Sequence, residues 1–366
     1  MTILQRYWAA LRVIGPPLFL GLLPVALLVW TFVLAWDGRE LAVDFHHELY
    51  PQAQSVLDGE NPYPPADAYL GDGTNPIWPI AAVGLIIPIA LLEPDAADWV
   101  MALLLVPCLL GGLLLMGIRD WRIFGAVCLW PPVLSSIQTG NLTLLLVLLA
   151  ALVWRFRDRE LVAGVTLGVA MALKFFLWPL VLWLAAIRRW RAAVLALLLA
   201  GLSTLLLLPF ISIGHYVDLV DNLSDTFDQG TYTVYALLLD AGAAGWLART
   251  VHLIVGAAVL VLALRRRSFA LAIAAALALS PIVWLHFFAM LVLPLAVSFP
   301  RFRWVWLLPL PLFAAPGTLN GAPWQTALVL GIAACTIAVC EYPPLADLRR
   351  RRSAASSTQL PAERAA

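Results

Sequence analysis

Apolar runs recur along the chain from Leu11 to Tyr342, broken only by short polar stretches, and no polar block is long enough to fold by itself. A helix needs about 20 predominantly apolar residues to cross a bilayer. By that length the pattern predicts crossings at residues 13–36, 99–117, 123–137, 142–154, 192–213, 250–264, 269–285, 287–299, 304–319 and 324–342. Two stretches do not fit a single crossing. Residues 161–187 form one apolar run with arginines at both ends, so a lone span would strand one cluster on the wrong side; a hairpin of two short helices turning near Lys174 resolves it. Residues 77–92 are short and hold two internal prolines, which predicts an interfacial or re-entrant segment. The expectation is an all-α polytopic membrane protein of about twelve membrane helices, with interfacial helices in its first outer loop.

Composition agrees with the pattern. Hydrophobic residues make up 62% and charged residues 12% of the 366, about half the charge density of a soluble domain. One integral membrane domain over residues 1–345 follows, with a basic, unstructured tail at 346–366. The net charge of +1 offers no overall basic field for nucleic acid. Cys108, Cys128, Cys335 and Cys340 lie in apolar stretches, where they act as small hydrophobes. Arg6 and Arg12 precede a run too long for a signal-peptide core, so residues 13–36 read as an uncleaved first span.

Charge changes the picture through its position. Arginines cluster at 119/122, 155–159, 188–191, 265–267, 301/303 and 349–352, and cytoplasmic loops are where such clusters collect. Acidic connections at 37–75 and 214–249 then face outward. The rule places 20 of the 22 arginines inside, all except Arg39 and Arg249, with both termini in the cytoplasm of a plasma-membrane protein. Many of the 16 tryptophans, among them Trp36, Trp99, Trp154, Trp284 and Trp324, fall near span ends, as an aromatic belt requires.

The first outer loop carries the densest chemistry: Asp44, His46, His47, Glu48 and, further on, Asn61 and Tyr63. A carboxylate just above the outer leaflet can take a proton from a hydroxyl, which makes Asp44 the first candidate for a general base. Asp44 equally suits the N-cap of an interfacial helix starting at Phe45. His46, His47 and Glu48 contain metal-ligand chemistry, but adjacent helical residues point apart and a solvated loop face serves as well, so no metal is assigned. Lys174 is the only lysine and sits in an apolar segment; an intramembrane ammonium implies either an anionic partner or snorkelling to an interface. His286 and the turn Gln138 to Asn141 fall on the same outer side, as does a loop holding His215 and Asp218, Asp221, Asp225 and Asp228. No phosphate-cradling glycine loop for a nucleotide occurs. A transporter or lipid flippase, with Lys174 at a mid-membrane site, is the rival class, although no internal repeat supports it.

Asp44-Phe45 through Tyr50, Ala53, Leu57 to Gly59, Pro62-Tyr63, Trp78-Pro79, Gly140-Asn141, Lys174 to Pro179 with Arg188 to Arg191, and Ser280 to Trp284 with His286 form an ordered set. Over roughly Asp44 to Pro294 this set resembles glycosyltransferase family 87, a group of GT-C-like membrane enzymes. The resemblance implies transfer of a sugar, mannose first and arabinofuranose as the alternative, from a polyprenyl-phosphate donor to an extracytoplasmic lipid-linked or polysaccharide acceptor during cell-envelope synthesis. It implies Asp44 as the base of an inverting reaction. Lys174 and His286 would lie near the donor phosphate, with Asn141, Tyr63, His46, His47 and Glu48 binding substrate. No cofactor is implied beyond the lipid-linked sugar. Trp78 stands where the family often has tyrosine, and Leu285 and Phe287 flank His286 where mannosyltransferases often have aspartate and a second histidine.

Overall fold

The computed structural model describes residues 13–37, 41–65, 77–207, 211–226, 230–315 and 321–342. The 346–366 tail, Arg39, Asp67 and Asp228 lie outside them. All regular elements among the described residues are helical. Their exteriors are apolar: Val29, Trp30, Leu104, Leu198 and Ile254 are exposed, a surface that suits lipid rather than water.

Among the described residues four helices are long and apolar enough to cross a membrane: Val13–Asp37, Pro94–Leu115, Gly245–Arg266 and Pro323–Glu341. The expected set of twelve is therefore not seen as twelve continuous spans. Proline and local breaks divide the rest. The predicted span at 123–137 is two helices, Trp121–Cys128 and Pro131–Gln138, because Pro131 and Pro132 supply no amide to continue the first and are well suited to start the second. Pro131–Gln138 then meets Thr143–Arg155 at a bend of 118°. Residues 287–299 form a 3-10 turn at Leu285–Leu291 followed by Val292–Ser298, and residues 304–319 are represented by the 3-10 turns Trp304–Leu307 and Leu310–Ala314. The short helix expected within 77–92 is Ile80–Ala90.

Contacts trace one end of the bundle through the described arginine clusters. Asp120 binds Arg122 at 2.8 Å and accepts from the Phe302 amide at 3.0 Å, and the Arg122 guanidinium holds its carboxyl down at about 2. Ser298 donates to the Cys340 carbonyl, and Glu341 joins Arg266 at 3.9 Å and Ser268. Trp183 donates to the Arg267 carbonyl and stacks on Trp154. Arg189 pairs with Asp158, while Glu160 accepts from the Arg191 amide at 2.9 Å.

Those last contacts define the hairpin at residues 161–187. Both of its ends meet, so the chain reverses between them. Glu160–Leu173 runs about 20 Å from the arginine end. Lys174 then leaves the helix in an extended conformation (φ −160°, ψ 110°), a 3-10 turn covers Phe175–Leu177, and Pro179–Ala186 returns. Trp190–Leu207 lies along Glu160–Leu173 in the same direction, closely enough that a Cβ on Gly164 would meet the Ala192 carbonyl at 2.9 Å and one on Gly168 the Leu199 Cβ at 2.7 Å. The tip of the hairpin carries Lys174 to the end opposite the arginines.

Candidate active site

The site begins where the turn after Pro131–Gln138 touches the start of the π-helical turn Phe45–Leu49. The amides of Asp44 and Phe45 donate to the Thr139 carbonyl at 2.9 and 3.2 Å. Gly140 adopts φ +64°, and a Cβ there would lie 2.7 Å from the Ala42 Cβ, so only glycine admits both the backbone and the approach. This contact sets Asn141 against Asp44. The Asn141 amide, 2% exposed, donates to Asp44 Oδ2 at 3.0 Å, and its oxygen accepts from Thr143 at 2.9 Å and from Lys174 Nζ at 3.4 Å. A carboxylate, an amide and an ammonium far apart in sequence thus form one hydrogen-bonded chain.

Asp44 does not cap the helix that follows it. Its backbone is already helical (φ −64°, ψ −36°) and its side chain makes no capping bond. Burial pushes its carboxyl above the usual range, opposed by the Asn141 hydrogen bond and the Lys174 charge. Its local setting is that of a half-buried carboxyl with a cation one amide away.

Lys174 lies between two aromatic faces, 4.0 Å from the Phe287 centroid and 4.9 Å from that of Trp78. Trp78 is held in turn: its indole N–H donates to Glu48 at 3.0 Å, and its carbonyl accepts from the Tyr63 hydroxyl at 2.7 Å. His286, 2% exposed, stacks on Phe287 at 5.0 Å with Nε2 buried and unpartnered.

The remaining sequence candidates divide in three directions. His46 turns to Asp98, with Nδ1 and Oδ2 2.7 Å apart; His47 is exposed and touches the His46 ring; Glu48 turns to Trp78. Among the described residues no three His, Cys, Asp or Glu side chains gather as a metal site. Tyr63 is buried at the back of Trp78, where burial and Tyr216 raise its phenol. His215 contacts the Tyr63 carbonyl, and Asp218 and Asp221 are exposed.

Sequence reasoning missed the roles of Asp98, Thr143, Trp78 and Phe287. Thr143 was the one with a local signal, two residues beyond Asn141 in a polar turn. The other three act across long separations, and Trp78 and Phe287 entered the sequence reading only through the family resemblance.

A cavity of about 610 Å³ adjoins the network, lined by Tyr63, Ile80, Met171, Phe175, Leu197 and Tyr216 among others, and is predominantly apolar. Its wall also includes Pro79, so that chain neighbours of Trp78 and Lys174 form the border between the greasy cavity and the polar cluster. Asp44, Asn141, Lys174 and His286 are not themselves among the residues that line it.

A carboxylate, an amide and a cation thus gather in an all-helical, apolar-surfaced bundle at the end opposite its described arginine clusters. The family model for glycosyltransferase family 87 matches residues 77–294, more than half of the chain, and the chain belongs to that family. The match contains Trp78, Asn141, Lys174 and His286, while Asp44 and Tyr63 precede it and are joined to it by the contacts above. Comparison with curated proteins and with solved structures returned no match.

Proposed function

We propose that the protein transfers a sugar, mannose first, from a polyprenyl-phosphate carrier to a hydroxyl of a lipid-linked or polysaccharide acceptor on the extracytoplasmic face of the plasma membrane. The observation that carries the reading is the Asp44–Asn141–Lys174 chain beside an apolar cavity. A lipid donor needs hydrocarbon space next to a positive charge, and the reaction needs a base on the acceptor side.

In the proposed step Asp44 takes the acceptor hydroxyl proton as that oxygen bonds to the anomeric carbon. The bond from that carbon to phosphate oxygen breaks, its electron pair leaving with the polyprenyl phosphate, and attack from the opposite face inverts the centre. Lys174 offsets the phosphate charge, and His286 lines the donor side. Asn141 couples the two halves: it orients the carboxylate while accepting from the ammonium. No cofactor beyond the lipid-linked sugar enters this scheme.

Purified protein reconstituted in vesicles with radiolabelled polyprenyl-phosphate sugars and a lipid-acceptor panel tests the reading. Glycosylated product is expected, and Asp44→Asn should lower turnover on the order of a thousandfold while inserting normally. Label that crosses the bilayer without forming product would point to transport instead. Full turnover by Asp44→Asn would remove the carboxylate from the mechanism.

A further inference from the structure

Lys174 arrives at the tip of a hairpin, where its extended backbone takes the side chain off the helix surface. Three segments remote in sequence converge there. Trp78 comes from the stretch before Ile80–Ala90, Phe287 from the 3-10 turn Leu285–Leu291, and the ammonium lies over both rings at 4.9 and 4.0 Å. Each ring has its own support. Glu48 fixes the Trp78 indole N–H, Tyr63 fixes the Trp78 carbonyl, and Phe287 is wedged between His286 at 5.0 Å and Phe176 at 5.2 Å.

An aromatic face attracts a cation through its quadrupole and leaves the charge intact. Asp44 and Glu48 both attract the ammonium electrostatically, and the two faces fix where between them it sits. The long 3.4 Å bond to Asn141 leaves ammonium protons for another acceptor, since lysine has three. Holding a flexible four-carbon side chain in one rotamer before the ligand arrives also lowers the entropy lost on binding.

We infer that Trp78 and Phe287 are positioning residues: their two faces hold the Lys174 ammonium in place and aimed at the phosphate of the lipid-linked donor. This rests on the donor reading above and adds the device that keeps its anchor available.

The test measures binding of a sugar-free polyprenyl phosphate to detergent-solubilised full-length protein, with the matching polyprenol as the uncharged control, alongside donor KM and kcat. Trp78→Leu and Phe287→Leu should each weaken phosphate-lipid binding by about tenfold and raise donor KM more than they lower kcat, with polyprenol binding unchanged. Trp78→Phe, which keeps a face, should restore most of the loss. Because the leucine variants remove packing, the deciding measurement is progressive ring fluorination of Phe287, which drains the face of electron density at nearly constant shape. Affinity falling with each added fluorine is the expected result. Affinity independent of fluorination, with Lys174→Met still losing the phosphate lipid, would overturn the cradle and spare the donor reading. Unchanged binding by Lys174→Met would overturn both.

Discussion

At the level of single side chains, the decisive feature is that Asn141 presents opposite ends of one amide to Asp44 and to Lys174. Its N–H stabilises the ionised carboxylate, and the nearby ammonium acts in the same sense, against a burial that favours the protonated form. A base works only when ionised, so the acid limb of kcat/KM against pH should lie above the ordinary carboxylate range. Asn141→Ala removes an interaction that lowers the Asp44 pKa, so it should shift that limb to still higher pH; a limb that stays put or moves down would mean another group titrates. Gly140→Ala makes a related prediction through the backbone. An alanine at φ +64° is strained, and its Cβ would press on Ala42 and Phe45, so the turn must retreat and carry Asn141 away from Asp44. Transfer should fall sharply in a protein that still purifies as a folded species. Asp44, Asn141, Lys174 and His286 were legible in sequence as polar groups in apolar or loop settings. Their partners were less so, because a tryptophan or phenylalanine in a membrane protein carries no sequence mark that separates a cation's neighbour from ordinary packing.

Among the helices, the hairpin at Lys174 matters most because it puts the only lysine at the far end from the arginines. It depends on close packing of Glu160–Leu173 against Trp190–Leu207 at Gly164 and Gly168. With no water to drive helices together in lipid, small residues at the contact provide the van der Waals fit. Gly168→Leu should therefore lower thermal stability in detergent by about 1–3 kcal/mol, as overpacking does, and lower activity with it. Gly331→Leu is the control: nothing lies within 4 Å of a Cβ there, and stability should not fall. The hairpin was visible in sequence because arginines flank one apolar run on both sides. The number of continuous helices was not, since hydropathy registers apolar length and is nearly blind to the turns at Lys174, Leu129 to Trp130 and residues 285–291, where proline or local geometry breaks the ladder of hydrogen bonds.

For the protein as a whole, the described arginine clusters gather at one end and the catalytic candidates at the other, which turns the charge rule into an experiment on orientation. In a background with the four native cysteines replaced, a cysteine at Arg157 should react with an impermeant thiol reagent only after lysis. One at Asp67, which lies outside the described residues, should react in intact cells. The reverse pattern would place the proposed site in the cytosol and exclude an extracytoplasmic donor. Arg249, the described arginine assigned to the other side, does sit at the opposite end of Gly245–Arg266 from Arg265 and Arg266, near Tyr235.

Hydropathy and arginine spacing were enough to establish a helical membrane protein, its two chemically distinct ends and the polar residues worth watching, because the cost of burying charge in lipid is paid locally and leaves its trace residue by residue. Which of those residues meet is a matter of folding. The sequence separations of 97 from Asp44 to Asn141 and 33 from Asn141 to Lys174 are bridged by a glycine turn and a hairpin tip, and no periodicity along the chain encodes that meeting.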